Sequence, residues 1–401
     1  MAGLTYTSDI AFVGNYLPRN CGIATFTYDL AEAVAETSDE PVHVIAINDT
    51  ERGYQYPARV TRTVQQDRRI DYVDAADYLN TTGAGVVSIQ HEFGIFGGEC
   101  GAHILILMRR LRRPPVVTCH TVPAEPLDAE ADVLREIASL SSRLVVMNRG
   151  AIDLLESLYG VERGKIVCIP HGIHDVPFAD PPDYRKRLGL RGRVLLTFGL
   201  LSRVKGIEYM IDAMPEIVRR HPDTTYVVLG RTHPVILRAE GESYRRSLQD
   251  RAKKLGVRGR VLFLDRFVHL RELLGFMAET DIFVAPFVKL DHTTSGTLAY
   301  ALGAGNAVVA TPFVDAKSLL SEGRGRLVPA CDPAALAGEI NALLSDVRSM
   351  RSMRQRAYLY TRPMVWSRIA RRYQELFDEV QRASAAPRVA GGTVRANPHA
   401  V

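Results

Sequence analysis

The sequence predicts an α/β fold of two Rossmann-like domains, each a doubly wound parallel sheet, facing a shared cleft. Three observations point there. Short apolar segments rich in Val and Ile, bounded by Gly, Pro or Asn, read as strands. Between many of them, apolar residues recur at the spacing of one helix face. The alternation also pauses once, midway along 401 residues, a length beyond what one hydrophobic core usually organises.

Taken in order, the strands of the first half are expected at Ile10–Asn15, Val42–Asn48, Val86–His91, Pro115–His120, Leu144–Asn148 and Ile166–His171. Those of the second half are expected at Val194–Gly199, Thr225–Gly230, Val261–Leu264, Ile282–Pro286, Ala307–Thr311 and Arg326–Pro329. Strands apolar on both faces and alternating with helices belong to a parallel sheet covered on each side. Ile207, Met210, Ile211, Met214, Ile217 and Val218 share one helix face, as do Leu298, Ala301 and Leu302, and Leu336, Ile340, Leu343 and Leu344. The pause, Asp175–Leu190, carries Pro177, Pro181 and Pro182 and reads as an interdomain linker. Beyond Leu344 the chain is helical through Phe377 and Val380. The tail from Ser384 reads as disordered.

Composition narrows the function classes. Fifty basic residues against 45 acidic ones give a net charge of +5, too weak and too mixed for a nucleic-acid footprint. Seven of the basic residues are lysines and 43 are arginines, so each lysine merits inspection. Five scattered cysteines without a C-x-x-C pair read as reduced, buried thiols, with neither disulfides nor a zinc site. The N-terminus lacks a signal-peptide pattern, and apolar runs stop far short of a membrane span. A cytoplasmic enzyme is the expectation.

Ligands of such sheets bind beyond the carboxyl ends of the strands, so the loops there hold the candidates. After the first strand, Asn15–Thr27 carries Gly22 at a helix entry expected near Thr25, where backbone N–H groups can approach phosphate. No G-x-G-x-x-G accompanies it, which argues against a nicotinamide enzyme. His91 with Glu92, and His120, end neighbouring strands and could hydrogen-bond a sugar or its leaving phosphate; a structural role is the bland alternative. His171 and His174 either join that wall or cap the linker. Arg203 and Lys205, on a short loop before a helix, form a candidate site for two negative charges. His233 and Arg231, after the second strand of the second half, are candidates for the same crevice. The loop Thr293-Thr-Ser-Gly-Thr offers four hydroxyls, with Ser295, Gly296 and Thr297 at a helix start suited to phosphate. Arg109–Arg113, after apolar Ile104–Met108, is either a weak peripheral-membrane contact or a basic helix end.

These motifs together resemble the GT-B glycosyltransferases, specifically the family-4 retaining nucleotide-sugar group. Pro18–Phe26 resembles that group's N-terminal glycine loop and Leu201–Gly206 its cationic donor loop. Ala299–Val309 resembles its helix-and-strand signature, and Trp366–Tyr373 its closing helix. The resemblance implies an acceptor-binding domain over 1–178, a nucleotide-sugar domain over 179–362, a helix over 363–383 crossing back, and a disordered tail over 384–401. The family's paired glutamates fall on His292 and Tyr300 here, which marks a divergent subgroup and leaves the donor open.

The implied activity is transfer of a hexose from a nucleotide diphosphate sugar, of the GDP-mannose or UDP-glucose type, to a hydroxyl acceptor with retention. Arg203, Lys205 and the Ser295–Thr297 amides would meet the leaving diphosphate, and His120 the transferred sugar. His292, Tyr300, His233 and Gly22 complete the donor set, and His91 and Glu92 the acceptor side. No Asp-x-Asp is present, so no metal is implied and no cofactor beyond the nucleotide-sugar co-substrate. A glycoside phosphorylase, a non-catalytic sugar-nucleotide sensor and an epimerase are the alternatives.

Overall fold

The computed structural model describes residues 9–178 and 192–385. The expected linker is described only as far as Phe178, and the expected tail and the first eight residues lie almost wholly outside the described residues.

Strands β1 (Ile10–Gly14), β2 (Val42–Asn48), β3 (Val60–Gln65), β4 (Val86–His91), β5 (Val116–Cys119), β6 (Arg143–Val146) and β7 (Ile166–Cys168) form a seven-stranded sheet in the order β3-β2-β1-β4-β5-β6-β7. Strands β8 (Val194–Phe198), β9 (Thr225–Leu229), β10 (Val261–Leu264), β11 (Ile282–Ala285), β12 (Ala307–Ala310) and β13 (Arg326–Leu327) form a six-stranded sheet in the order β10-β9-β8-β11-β12-β13. Neighbouring strands run parallel throughout, as the unbroken apolar strands require. The α/β expectation holds.

Strand β3 is a departure. It is an edge strand with Thr61, Arg62 and Thr63 exposed, so only Val60 and Val64 carry its apolar signal. The helix Gly22–Thr37 begins three residues earlier than expected, because the Cys21 sulfur caps it by accepting from Ala24 N at 3.3 Å. The thiols are all free, but only Cys119 is buried, and Cys331 is exposed.

In each sheet the strand order reverses at one place, between β1 and β4 and between β8 and β11. Loops after those strands therefore open a crevice. The two crevices meet. Val122 N donates to Thr293 Oγ1 at 3.3 Å, and Asn148 Nδ2 donates to Thr293 O. The chain then returns to the first domain: Ile173 N donates to Met364 O at 2.8 Å and Trp366 N to Ile173 O at 2.9 Å. The helix Trp366–Ala385 lays Trp366, Ile369, Ala370, Tyr373, Phe377 and Val380 against Phe12, Phe26, Leu30 and Val34. That is an i, i+3, i+4, i+7 face buried on one side.

Candidate active site

Lys205 stands at the centre of the second-domain wall. It ends a 3-10 turn, Arg203–Lys205, that follows β8 and precedes the helix Ile207–Arg220. Its Nζ sits 4.1 Å from the centroid of the Phe287 ring. Gly199 has φ +119°, and a Cβ built there would lie 3.8 Å from Lys205 Nζ and 3.4 Å from Thr297 Cγ2. The ammonium and the first turn of the helix Gly296–Gly303 thus converge over one bare glycine. Burial pushes the Lys205 ammonium down to about 8. Among the described residues no carboxylate pairs with it. A desolvated cation with no carboxylate partner among the described residues is an arrangement suited to an anion.

The helix start beside it is held rigidly. Ser295 Oγ accepts from Leu298 N at 3.3 Å and contacts Thr297 Oγ1 at 3.2 Å. Ser295 N donates to Asp315 Oδ2 at 2.8 Å, and burial raises the Asp315 carboxyl to about 7. Gly296 abuts the other domain: a Cβ there would lie 2.7 Å from His171 Nε2. His171 Nδ1 donates to Gly172 O at 2.7 Å, so Nε2 keeps its lone pair. His292 and His233 both lie near enough to Lys205 for its charge to lower them, after burial as the larger cause. His292 is pulled down to about 4 and is neutral. His233 caps the helix Pro234–Glu240 by accepting from Val235 N at 3.3 Å.

On the first-domain wall, His120 Nε2 lies 3.1 Å from Gln90 Oε1, whose amide nitrogen donates to Ser88 Oγ at 3.2 Å. Oε1 can only accept, so His120 carries its proton on Nε2 and offers Nδ1 as an acceptor. Burial, with His171 and His91 nearby, pulls it to about 3. Phe26 packs edge-on to His120, His171 and Trp366 at 4.6, 5.1 and 5.2 Å. Glu92 accepts from Thr121 Oγ1 at 2.7 Å and Phe93 N at 3.1 Å, and burial raises its carboxyl. Nothing lies within 4 Å of a Cβ built on Gly22, which faces open space. Among the described residues no three metal-ligating side chains converge.

Three expectations need correction. Arg203 does not join Lys205: it donates to Glu240 at 2.7 Å and stacks over Tyr244 at 4.8 Å. In a 3-10 turn each residue is rotated by about 120°, so positions 203 and 205 leave on different sides. His91 is fully buried between Phe93 and Phe96, with neither ring nitrogen hydrogen-bonded. Gln90 points to the crevice, and strand alternation turns His91 away from it. Tyr300 is committed across the domains: its hydroxyl donates to Asp29 Oδ2 at 2.8 Å, with His174 Nε2 3.2 Å from the same oxygen. Within the basic run Arg109 pairs with Glu136 and Arg110 with Asp77, Arg113 donates to Gly85 O at 3.3 Å, and Arg112 is exposed.

Sequence reasoning missed Asp29, Asn148 and Asp315, single polar residues that no local motif marks. The Tyr300–Asp29 bond gives a prediction. Tyr300→Phe removes a charge-assisted bond and should cost about 1.5–3 kcal/mol of stability by denaturant titration. Affinity for nucleoside diphosphate should be unchanged; a loss of about tenfold or more would return Tyr300 to the donor site.

Comparison with known proteins agrees with this layout. Residues 21–175 match the family model for glycosyltransferase family 4, and residues 192–346 that for glycosyl transferases group 1. The chain is 26% identical over 298 residues to the phosphatidyl-myo-inositol mannosyltransferase of Mycolicibacterium smegmatis, covering 73% of this chain and 72% of that one. It is 28% identical over 317 residues to a D-inositol 3-phosphate glycosyltransferase of Corynebacterium efficiens, covering 71% of each. Anabaena HepE, solved in complex with UDP and glucose, superposes with a TM-score of 0.74 at 16% identity, over 93% of this chain and 100% of that one.

Proposed function

The chain is a GT-B glycosyltransferase, and we propose that it moves a hexosyl unit from a nucleotide diphosphate sugar to a hydroxyl acceptor with retention of configuration. The observation that carries this reading is Lys205, desolvated and without a carboxylate partner among the described residues, beside the first turn of the Gly296 helix. In the reaction the anomeric carbon–oxygen bond to the diphosphate breaks while the acceptor oxygen bonds to the same face. Negative charge gathers on the leaving phosphate. The Lys205 ammonium and the amides of Gly296 and Thr297 meet it, and groups preset for developing charge give the largest share of such rate enhancements. The departing phosphate oxygen takes the acceptor proton, so no protein nucleophile is needed.

His120 serves the sugar. Its neutral ring, fixed in tautomer by Gln90, accepts a sugar hydroxyl at Nδ1. His292, neutral beside Lys205, polarises no phosphate but can donate or accept with the hexose. The nearness of a GDP-mannose or UDP-glucose donor is supported by the relatives' mannosyl activity and by the UDP and glucose in the Anabaena protein. The test offers the full chain GDP-mannose and UDP-glucose with a panel of neutral sugars and polyols, and follows the anomeric proton of the product by NMR. An equatorial-to-axial change, or turnover only with inorganic phosphate and an oligosaccharide, would overturn the reading.

No helix among the described residues is long and apolar enough to cross a membrane.

A further inference from the structure

One short segment of the second domain supports both arms of the anion site. It is Thr311–Asp315, which follows β12 and enters the helix Val314–Leu319. At its start Thr311 Oγ1 donates to Phe287 O at 2.7 Å. Phe313 then stacks on Phe287 with ring centroids 4.9 Å apart, and Lys205 Nζ lies against that same Phe287 ring. At its end Val314 N donates to Leu290 O and Asp315 N to His292 O, both at 3.1 Å. The loop before the Gly296 helix is thus laced to the segment along its length.

The Asp315 side chain completes the lacing, since its Oδ2 accepts from Ser295 N at 2.8 Å. The carboxyl is buried. No basic side chain among the described residues pairs with it, and burial raises it to about 7. A fold gains little stability from a buried acid without a cation, and such groups concentrate where function requires them. What the contact achieves is local. Ser295 is the N-cap of the Gly296 helix, extended at φ −134° and ψ 96°, and its hydroxyl is already occupied by Leu298 N. Held at its N–H by Asp315 and at its hydroxyl by Leu298, Ser295 is fixed on both sides. The Gly296 and Thr297 amides that follow, which a helix start leaves unpaired, keep one direction.

We propose that Asp315 is a positioning residue for the reaction: by holding Ser295 N it aims the Gly296 and Thr297 amides at the leaving phosphate that Lys205 also meets. The inference rests on the transferase reading above, from which it takes the leaving group. A carboxylate has the wrong charge to meet phosphate itself, so Asp315 acts through the backbone it holds. Donors set in advance for a developing charge lose most of their effect when their direction wanders. Charge on the leaving phosphate grows in the transition state, so the loss falls on kcat more than on KM. A nucleoside diphosphate carries that charge in full on its terminal phosphate, whereas a monophosphate lacks the group altogether.

The experiment compares Asp315→Ala and Asp315→Asn with the parent in the full chain, by steady-state kinetics and by calorimetric titration with GDP, GMP, UDP and UMP. Asp315→Ala, which leaves Ser295 N without its acceptor, should lower kcat by about 100-fold with KM for the nucleotide sugar within about threefold. Its affinity for the bound diphosphate should fall by about tenfold while that for the matching monophosphate holds. Asp315→Asn keeps an acceptor at the same reach and should restore both to within about threefold of the parent. Should the alanine variant fail to fold, Asp315→Ser takes its place: the hydroxyl stops one atom short of the carboxylate oxygens and should show the same losses. Near-parental kcat in a folded alanine or serine variant overturns the proposal. So does equal weakening of monophosphate and diphosphate, the mark of a merely structural role, and so does an asparagine variant as impaired as alanine. Failure of the transferase reading looks different: no nucleotide sugar is turned over by the parent, yet the preference for diphosphate over monophosphate still depends on Asp315. A parent that binds neither diphosphate overturns both.

Discussion

Lys205→Ala should lower kcat/KM for the nucleotide sugar by about 100- to 1,000-fold, the loss typical of removing one preorganised contact to a developing oxyanion. The variant should nevertheless fold, and its melting temperature should equal or exceed that of the parent. Burial holds the Lys205 ammonium near 8, below its ordinary 10.5. The unfolded chain therefore binds that proton more tightly than the folded one. Stability contributed by this group is lowest below about pH 8 and rises between pH 8 and 10.5 as the folded lysine loses its proton first. Deleting a cation that the fold holds against its preference removes a cost, in keeping with sites that sacrifice stability for function. The same shift sets a pH dependence. Lys205 must be charged to meet the diphosphate, so kcat/KM should fall on an alkaline limb near pH 8, and Lys205→Arg should carry that limb beyond pH 10. Near-parental turnover in a folded Lys205→Ala protein, or an alkaline limb untouched by arginine, would remove Lys205 from the leaving-group role.

How much of this was legible beforehand depends on whether the chemistry is written locally. The sheets were legible because β1, β2, β4, β8 and β11 are apolar on both faces, and no other structure buries such segments so simply. Strand β3 was not, because an edge strand buries one residue in six and its alternation is too weak to register. Lys205 stood out by scarcity and by its place after a strand. Arg203 looked equivalent because sequence spacing carries no direction; only the 3-10 turn separates their sides. His91 and Gln90 are adjacent letters with opposite fates for the same reason. Tyr300 and Asp29 are 271 positions apart, and a pair that exists only after two domains close leaves no trace in either segment. The same holds for Asn148 and Thr293, whose bond fixes the loop before the Gly296 helix against the first domain.

Trp366→Ala should cost about 3–5 kcal/mol, the usual loss for truncating a buried Trp, measured as a shift in the denaturant midpoint of the first domain's unfolding. Trp366 is buried at the start of the helix that returns to the first domain, with its ring 5.2 Å from Phe26 and 5.9 Å from His171. Phe26 in turn supports His120. The indole therefore braces the histidine wall of the crevice, and turnover should fall together with stability. Gly172 supplies the control. A Cβ there would lie 2.3 Å from Trp366 Cδ2 and Cε3, far inside contact distance. Gly172→Ala alone should thus displace the indole and reproduce much of the defect. In the Trp366→Ala background the clash is gone and the added methyl enters the vacated space, so the second substitution should cost little. The two changes must be strongly non-additive, as expected for residues in direct contact. Additive losses would mean that the indole does not rest on Gly172, and the brace between the closing helix and the histidine wall would have to be sought elsewhere.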